Sequence, residues 1–387
     1  MGILSNTVSI CHFRILGELQ NLDLYEEAPA LLARQAFTPI DESAEEVSLG
    51  WVHLEDPKAH TFEASVCWRE QYLIFSLRRD QRKVPAALLK EQVDKACTAF
   101  LAENPGYTRV PKQKKEDLKD AVRSKLLAKA LPDPKVYDVV WDTQANLLTF
   151  ATLSPKTIEM FEDLFKKTFE GLRLAAFHPY ERAYSVLDEL GRQRLKEANR
   201  AGGDNFLELI KENQWLGTDF MGWLLYLTMN EASEYRVNQR GPLLESEPFV
   251  AYINDRVVLV GEGEGGTQMI TVNGSQDRFN EVKSAMQCRK LITEATIHLE
   301  SGDYHYSLVL KGEMFHFASF SSPGVKVEKD STVDELMERE AVFFERMLLL
   351  EKGLQLLNSL FRSFLDVRLG NWPHMEMVIA EWIHGDA

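Results

Sequence analysis

Val136-Tyr-Asp-Val-Val-Trp-Asp-Thr-Gln-Ala-Asn-Leu-Leu-Thr-Phe-Ala-Thr152 is the stretch that decides the fold class. Its two apolar runs flank the polar segment Thr143-Gln-Ala-Asn146, a pattern typical of a β-hairpin. Ser154-Pro155 follows and begins a predicted helix over residues 156–170, whose apolar side chains recur at helical spacing. A hairpin followed directly by a helix indicates a chain that mixes strands and helices.

The same patterns extend the assignment along the rest of the chain. Strand patterns cover residues 8–15, 62–68 and 72–77, and helical spacing covers residues 85–103 and 116–130. Beyond residue 248 strands dominate, and the final segment returns to helices. We therefore predict the α+β class, built from several subdomains of mixed sheets and helices.

The 387 residues suit several domains rather than one small core. We predict four regions along the chain. These are an α+β region with a basic helix over residues 1–180, a helical connecting region over 181–247, a β-rich region over 248–330 and a helical region over 331–387.

The composition of the chain argues against a membrane protein and against a secreted protein. Acidic residues outnumber basic ones by 59 to 44, which gives a formal net charge of −15 at pH 7. No apolar run approaches the roughly 20 residues that a membrane-spanning helix needs. The four cysteines form no C-x-x-C pair, and the N-terminus lacks the features of a secretion signal. We expect a cytoplasmic protein without membrane contact and without a cofactor.

A basic run in this acidic chain is the first candidate site. In the predicted helix Lys115, Lys119 and Arg123 recur every four residues, so they share one face about 12 Å long. That face is suited to following a phosphate backbone. The alternative interpretation is an ordinary solvated helix face, since acidic residues lie nearby. The preceding segment, interpreted as a loop, adds Arg109, Lys112 and Lys114.

A second cationic cluster follows the strand that ends at Leu77. It consists of Arg78, Arg79, Arg82 and Lys83. Arginines that leave a strand suit bidentate phosphate contacts. They suit structural pairing with carboxylates such as Asp80 equally well, and the sequence leaves both interpretations open.

Three other features favour structural roles. The glycine-rich segment over residues 261–266 lacks the Lys and Ser/Thr of a phosphate-binding loop and is interpreted as a hairpin turn. The aromatic residues between Trp215 and Tyr226 recur at helical spacing and are expected to be buried. His305 and His316 could face each other across a hairpin, but the sequence offers no third metal ligand. No catalytic signature is recognisable, so we expect a protein that is not an enzyme.

Several short motifs occur together in order. They are Ala36-Phe-Thr-Pro39, Gly50-Trp-Val52, Lys115-Glu-Asp-Leu-Lys-Asp-Ala-Val122 and Leu131-Pro132, followed more loosely by Cys288-Arg-Lys-Leu291. Through them the chain resembles the bacterial recombination-associated RdgC family. The resemblance implies a homodimer closed into a ring, with an acidic exterior and a basic inner surface. DNA would pass through the ring, bound without sequence preference in single- or double-stranded form.

The resemblance also implies a role at the nucleoid, where such proteins limit the access of RecA to DNA. Between Gly266 and Asp277 related proteins tend to carry lysines, whereas this chain reads Thr271-Val-Asn-Gly-Ser275. The loss of charge there would weaken DNA contact or shift it to Arg278, Lys283, Arg289 and Lys290. Two alternatives stay open: a metal-dependent DNA exonuclease, and an interaction scaffold with no nucleic-acid role.

Overall fold

A computed structural model describes residues 2–18, 23–43, 45–202, 206–230, 233–275, 278–326 and 335–385. The chain forms two compact units. The smaller unit consists of Gly17–Val140 and Phe161–Leu172. The larger unit consists of Met1–Leu16, Trp141–Met160 and Arg173–Ala387.

Strands and helices alternate irregularly along the described chain. The strands are β1 (Thr7–Leu16), β2 (Val47–Val52), β3 (Trp68–Arg69), β4 (Tyr72–Arg82), β5 (Pro132–Asp142), β6 (Leu147–Phe150), β7 (Arg173–Ala176), β8 (Glu234–Arg236), β9 (Pro248–Gly263), β10 (Gly266–Val272), β11 (Leu291–Ser301), β12 (Tyr304–Lys311) and β13 (His316–Ser321). The helices are α1 (Leu24–Arg34), α2 (Ala64–Cys67), α3 (Ala86–Glu103), α4 (Lys112–Leu127), α5 (Pro155–Thr168), α6 (Pro179–Val186), α7 (Glu189–Ala198), α8 (Phe206–Glu212), α9 (Trp215–Asn230), α10 (Asn280–Gln287), α11 (Glu335–Arg368) and α12 (Trp372–His384). The predicted mixture of strands and helices is confirmed, and the strands form a large antiparallel sheet.

The stretch that opened the sequence analysis folds as predicted, with a turn between strands and a helix after them. The Asp142 carboxylate accepts hydrogen bonds from the backbone N–H groups of Gln144 and Ala145 and so fixes the turn. The strand predicted over residues 62–68 is wrong, because residues 64–67 form the short helix α2. An apolar run this short fits either period, so its pattern alone does not separate helix from strand.

The core of the smaller unit is built around Trp51. In its sheet β4 lies between β5 and β2, and Trp51 on β2 pairs with Leu77 on β4. The indole is fully buried, and its Nε1 donates a hydrogen bond to Oγ1 of Thr168 at 2.8 Å. A Cβ at the adjacent Gly50 would lie 2.4 Å from the Cα of Phe37, so this position requires glycine. The motif Gly50-Trp-Val52 therefore has a packing role.

The larger unit carries an antiparallel sheet in the order β10-β9-β11-β12-β13-β1-β6. Helices cover one part of it with an aromatic cluster, in which the Phe220 ring of α9 lies 5.3 Å from Phe361 and 5.4 Å from Phe364. Trp215, Phe220 and Trp223 are buried, which confirms that the aromatic helix forms core.

The glycine-rich segment joins β9 to β10 as a hairpin, with Gly263 paired to Gly266, so the interpretation as a turn is confirmed. The expectation that two histidines face each other is wrong. The residue paired with His316 is Lys311, and the residue paired with His305 is Glu300. The two imidazole rings are kept apart by the register of the strands, and the sequence pattern does not fix that register.

Three histidines of the larger unit have a lowered pKa. Burial lowers the pKa of His178 and of His316 to about 4. Burial, followed by the nearby Arg182 guanidinium, holds the pKa of His12 well below its ordinary value. His178 and His316 stay neutral in the folded chain between about pH 6.5 and pH 4, whereas in the unfolded chain both bind protons there.

We expect the larger unit to lose stability as the pH falls from 7 toward 4. At pH 5.5 the loss should be about 1 kcal/mol for each of His178 and His316, because one pH unit below the unfolded pKa corresponds to about 1.36 kcal/mol. Urea unfolding at pH 7.0 and pH 5.5 measures the loss, and His178→Phe should reduce it. The exposed His60→Gln serves as the control. An equal pH dependence of stability in the native protein, His178→Phe and His60→Gln would contradict the assignment of the loss to the buried histidines.

Candidate nucleic-acid interface

Helix α4 carries most of the predicted cationic residues. It begins at Lys112, one turn earlier than the predicted start at Glu116, because the Pro111 carbonyl already accepts a hydrogen bond from the Lys115 N–H at 2.9 Å. Lys112 and Lys114 therefore lie on the helix, and the expectation that they belong to a loop is wrong. Proline is well suited to the start of a helix, since its φ is fixed near the helical value.

Four cationic side chains form one stripe on α4. The spacing of three, four and four residues places them on the same side of the helix, over about 16 Å of its length. All four are exposed to solvent. We call them the α4 stripe, and they are Lys112, Lys115, Lys119 and Arg123.

Only part of the stripe is neutralised by the protein itself. Lys119 lies 3.6 Å from Glu116, and Arg123 lies 3.1 Å from Glu46, both as exposed pairs. Within the described part of the chain, Lys112 and Lys115 have no ion-pair partner. Exposed pairs are worth about 1 kcal/mol or less, so a phosphate can replace the carboxylates.

The first turn of α4 concentrates positive potential. It contains Lys112, Lys114 and Lys115 and no acidic residue. The N-terminal end of a helix carries a partial positive charge and ordinarily favours acidic side chains. Three lysines there add to this charge instead of offsetting it. The arrangement costs free energy in the isolated protein, and an anion bound at this end would recover it.

Helix α3 packs against α4 to form a two-helix projection of the smaller unit. Val93, near the middle of α3, is the buried residue of that helix, and Leu127, the last residue of α4, is the buried residue of the other. Both helices are otherwise solvent-accessible along most of their length. The α4 stripe is therefore open to a large partner.

Arg82 connects β4 to the far end of α4. Its guanidinium is buried, and Nη1 donates to the Leu127 carbonyl at 3.2 Å. Nη2 donates to the carbonyls of Ile40 at 2.7 Å and Asp41 at 3.0 Å. A cation at the C-terminal end of a helix also interacts favourably with its dipole. These contacts make Arg82 a positioning residue that holds α4, rather than a surface contact.

The other members of the cationic cluster on β4 differ in how far they are free to bind an external anion. The Arg78 guanidinium makes two hydrogen bonds of 2.8 Å to the Asp80 carboxylate and lies 4.3 Å from the Phe37 ring centroid. Arg79 is half-buried and donates to Oε1 of Gln81 at 2.7 Å. Lys83 is exposed and lies 3.6 Å from Asp133. Lys83 is therefore the member most open to an external anion.

The alternative cationic residues of the larger unit lie on or beside α10 and differ in their surroundings. The Lys283 ammonium lies 5.0 Å from the Trp382 ring centroid, and Lys290 is buried beside Gln268, whose Oε1 accepts its hydrogen bond at 3.2 Å. Arg278 and Arg289 are exposed. The segment expected to have lost charge includes residues 276 and 277, which lie outside the described residues.

One aromatic residue near the α4 stripe was missed by the sequence reasoning. Tyr107 lies in the loop between α3 and α4, is 52% exposed and packs 5.8 Å from the Phe100 ring. The Lys114 ammonium lies 5.8 Å from the same Phe100 ring. An aromatic residue directly after the helix-breaking Asn104-Pro-Gly106 was the available signal.

The described residues offer neither a metal-binding cluster nor a membrane-spanning helix. They contain no group of three or more His, Cys, Asp or Glu side chains placed to hold a metal ion. They also contain no helix with both the length and the apolar character needed to cross a membrane.

Comparison with known proteins gives one family. The family described as "Putative exonuclease, RdgC" matches residues 10–190, a range that begins within β1, ends at the start of α7 and includes the whole of the α3–α4 projection. No curated protein matches the chain. The similarity to the RdgC family therefore covers residues 10–190, somewhat less than half of the chain.

Proposed function

We propose that this protein binds DNA through phosphate contacts made by the α4 stripe, without reading base sequence. The strongest support is the first turn of α4, where three lysines meet the positive end of a helix with no acidic residue among them. The family match agrees with a recombination-related role, and its range includes this helix.

The net charge of −15 makes the position of the basic residues important. Most of the surface of such a chain repels DNA, so binding must be concentrated where positive charge is gathered. We propose that two copies form a ring with their α4 stripes turned inward. Such a ring would encircle single- or double-stranded DNA at the nucleoid and limit the access of RecA. Lys83, Arg109 and Lys114 would extend the contact, with Arg82 holding α4 in place.

Binding is expected to be strongly dependent on salt. The four phosphate contacts of each protomer contribute about −3.6 to the slope of log K against log salt, or about a 100-fold loss of affinity per protomer between 50 and 200 mM salt. Fluorescence anisotropy with duplexes of unrelated sequence measures both properties. Similar affinities with this slope support the proposal, whereas salt-insensitive binding or no binding at 50 mM salt contradicts it.

Ring closure has its own test. A closed ring loaded on circular DNA should remain bound after a wash at high salt and should be released when the circle is cut. Release from circular and linear DNA at the same salt concentration would contradict encirclement, and sedimentation of the free protein as a monomer would contradict the dimer.

The printed family description makes exonuclease activity the second candidate. Incubation of end-labelled DNA with the protein and Mg²⁺ or Mn²⁺ separates the two functions. Metal-dependent loss of the label would establish a nuclease, and intact DNA that stays bound favours the non-enzymatic proposal.

A further inference from the structure

We propose that Tyr107 is a base-stacking residue for single-stranded DNA at the end of the α3–α4 projection. This inference rests on the proposed DNA-binding function and goes beyond it. It adds a residue that distinguishes an unpaired strand from a duplex, whereas the α4 stripe contacts phosphates in either form.

The loop that carries Tyr107 is well anchored. The Asn104 side-chain amide donates to the Phe100 carbonyl at 2.9 Å and so caps the C-terminal end of α3. The Tyr107 N–H then donates to the Asn104 carbonyl at 3.1 Å, which closes a turn. Pro105 lies within this turn and Pro111 follows it, and both restrict the backbone further. The tyrosine ring is therefore held in place before any ligand binds.

The ring presents an open aromatic surface. One side packs against Phe100 at 5.8 Å, yet about half of the side chain, 52%, remains exposed. A nucleobase is flat and apolar on both faces, so it can stack on such a ring. The stacked bases of a duplex offer no comparable free face.

The charges around the ring suit the backbone of the same strand. Arg109 follows Tyr107 by two residues, and Lys112 and Lys114 begin the adjoining helix, all exposed. Proteins that bind single strands combine aromatic stacking surfaces with cations that follow the phosphates. A nucleic-acid strand is the occupant that matches both the ring and this charge.

The chain offers a matched control in Tyr25. It is similarly exposed, at 55%, belongs to the same unit and packs 5.2 Å from the Trp68 ring. Its sequence neighbours are Glu26 and Glu27, so its surroundings are acidic instead of basic. The two tyrosines are alike in exposure and in packing on an aromatic ring, but Tyr25 lies on α1 with acidic neighbours and Tyr107 lies in a loop with basic ones.

The test measures the affinity of the full-length protein for a dT-rich single strand and for a duplex of equal length at 100 mM salt. Tyr107→Ala should weaken single-strand binding about tenfold, while duplex binding stays within twofold. Tyr107→Phe should bind like the original protein because the ring is kept, and Tyr25→Ala should change neither affinity.

Each other outcome has a defined meaning. Unchanged single-strand affinity in Tyr107→Ala overturns the inference and leaves the phosphate-binding function intact. A parallel loss for both DNA forms, with a change of oligomeric state in sedimentation, also overturns it and identifies Tyr107 as a self-association residue. Absence of binding to either DNA by the unaltered protein defeats the proposed function itself.

Discussion

Charge reversal at Lys115 and Lys119 is expected to lower the affinity for duplex DNA about 100-fold at 100 mM salt. Both side chains are exposed and lie one turn apart on the same side of α4. Each reversal removes one phosphate contact and adds a repulsive charge, at a cost of about 1.4 kcal/mol per site, which corresponds to a factor of ten. The loss should be equal for duplexes of different sequence, because phosphates carry no sequence information.

A matched pair elsewhere in the smaller unit controls for net charge. Lys58→Glu with Lys135→Glu changes the net charge by the same amount, at two other exposed positions of that unit. We expect this variant to lose no more than about threefold in affinity, since charge away from the contact acts only through screened long-range fields. Similar losses in both double variants would mean that general charge, and not the α4 stripe, governs binding.

Replacement of Arg82 by methionine is expected to lower the unfolding free energy of the smaller unit by about 3 kcal/mol. The buried guanidinium donates to carbonyls of the loop at Ile40 and Asp41 and of the α4 end at Leu127. Methionine fills a similar volume but leaves these carbonyls without that donor, and each unsatisfied buried group costs about 1–3 kcal/mol. Hydrogen exchange of α4 amides and the thermal midpoint both report the loss.

Two further variants make the Arg82 experiment specific. Arg82→Lys keeps the charge without the planar, branched geometry, so it should fall between the native protein and methionine. Arg79→Met removes a neighbouring arginine whose guanidinium donates to Gln81 and should cost less than about 1 kcal/mol. If Arg82→Met folds with native stability and loses only DNA affinity, Arg82 is a contact residue and the positioning role is wrong.

Local pattern predicted the elements that are long or bounded by strong signals. Residues 85–103 were predicted as a helix, and α3 spans Ala86–Glu103. The segment over residues 261–266 was interpreted as a turn, and its glycines pair across the β9–β10 hairpin. The strand predicted across residues 64–67 was wrong, because four residues carry too little periodicity to decide between helix and strand.

The candidate site was predictable in part. Helical spacing identified Lys115, Lys119 and Arg123 as one face, and the exposed positions of all three agree with that arrangement. It did not reveal that α4 starts at Lys112, directly after Pro111, which places Lys112 on the same face. It also did not show which arginine of the β4 cluster is buried. That depends on where distant carbonyls such as that of Leu127 come to lie, which is a property of the tertiary fold.

The slope of log K against log salt, compared between the native protein and Lys115→Gln with Lys119→Gln, tests the central claim most directly. Each phosphate contact contributes about 0.9 to the slope for duplex DNA, so the loss of two should make it shallower by about 1.8 for each protomer. Neutral glutamines keep the helix and introduce no repulsion, so the change counts contacts. A slope that stays the same in the variant would contradict phosphate binding by the α4 stripe.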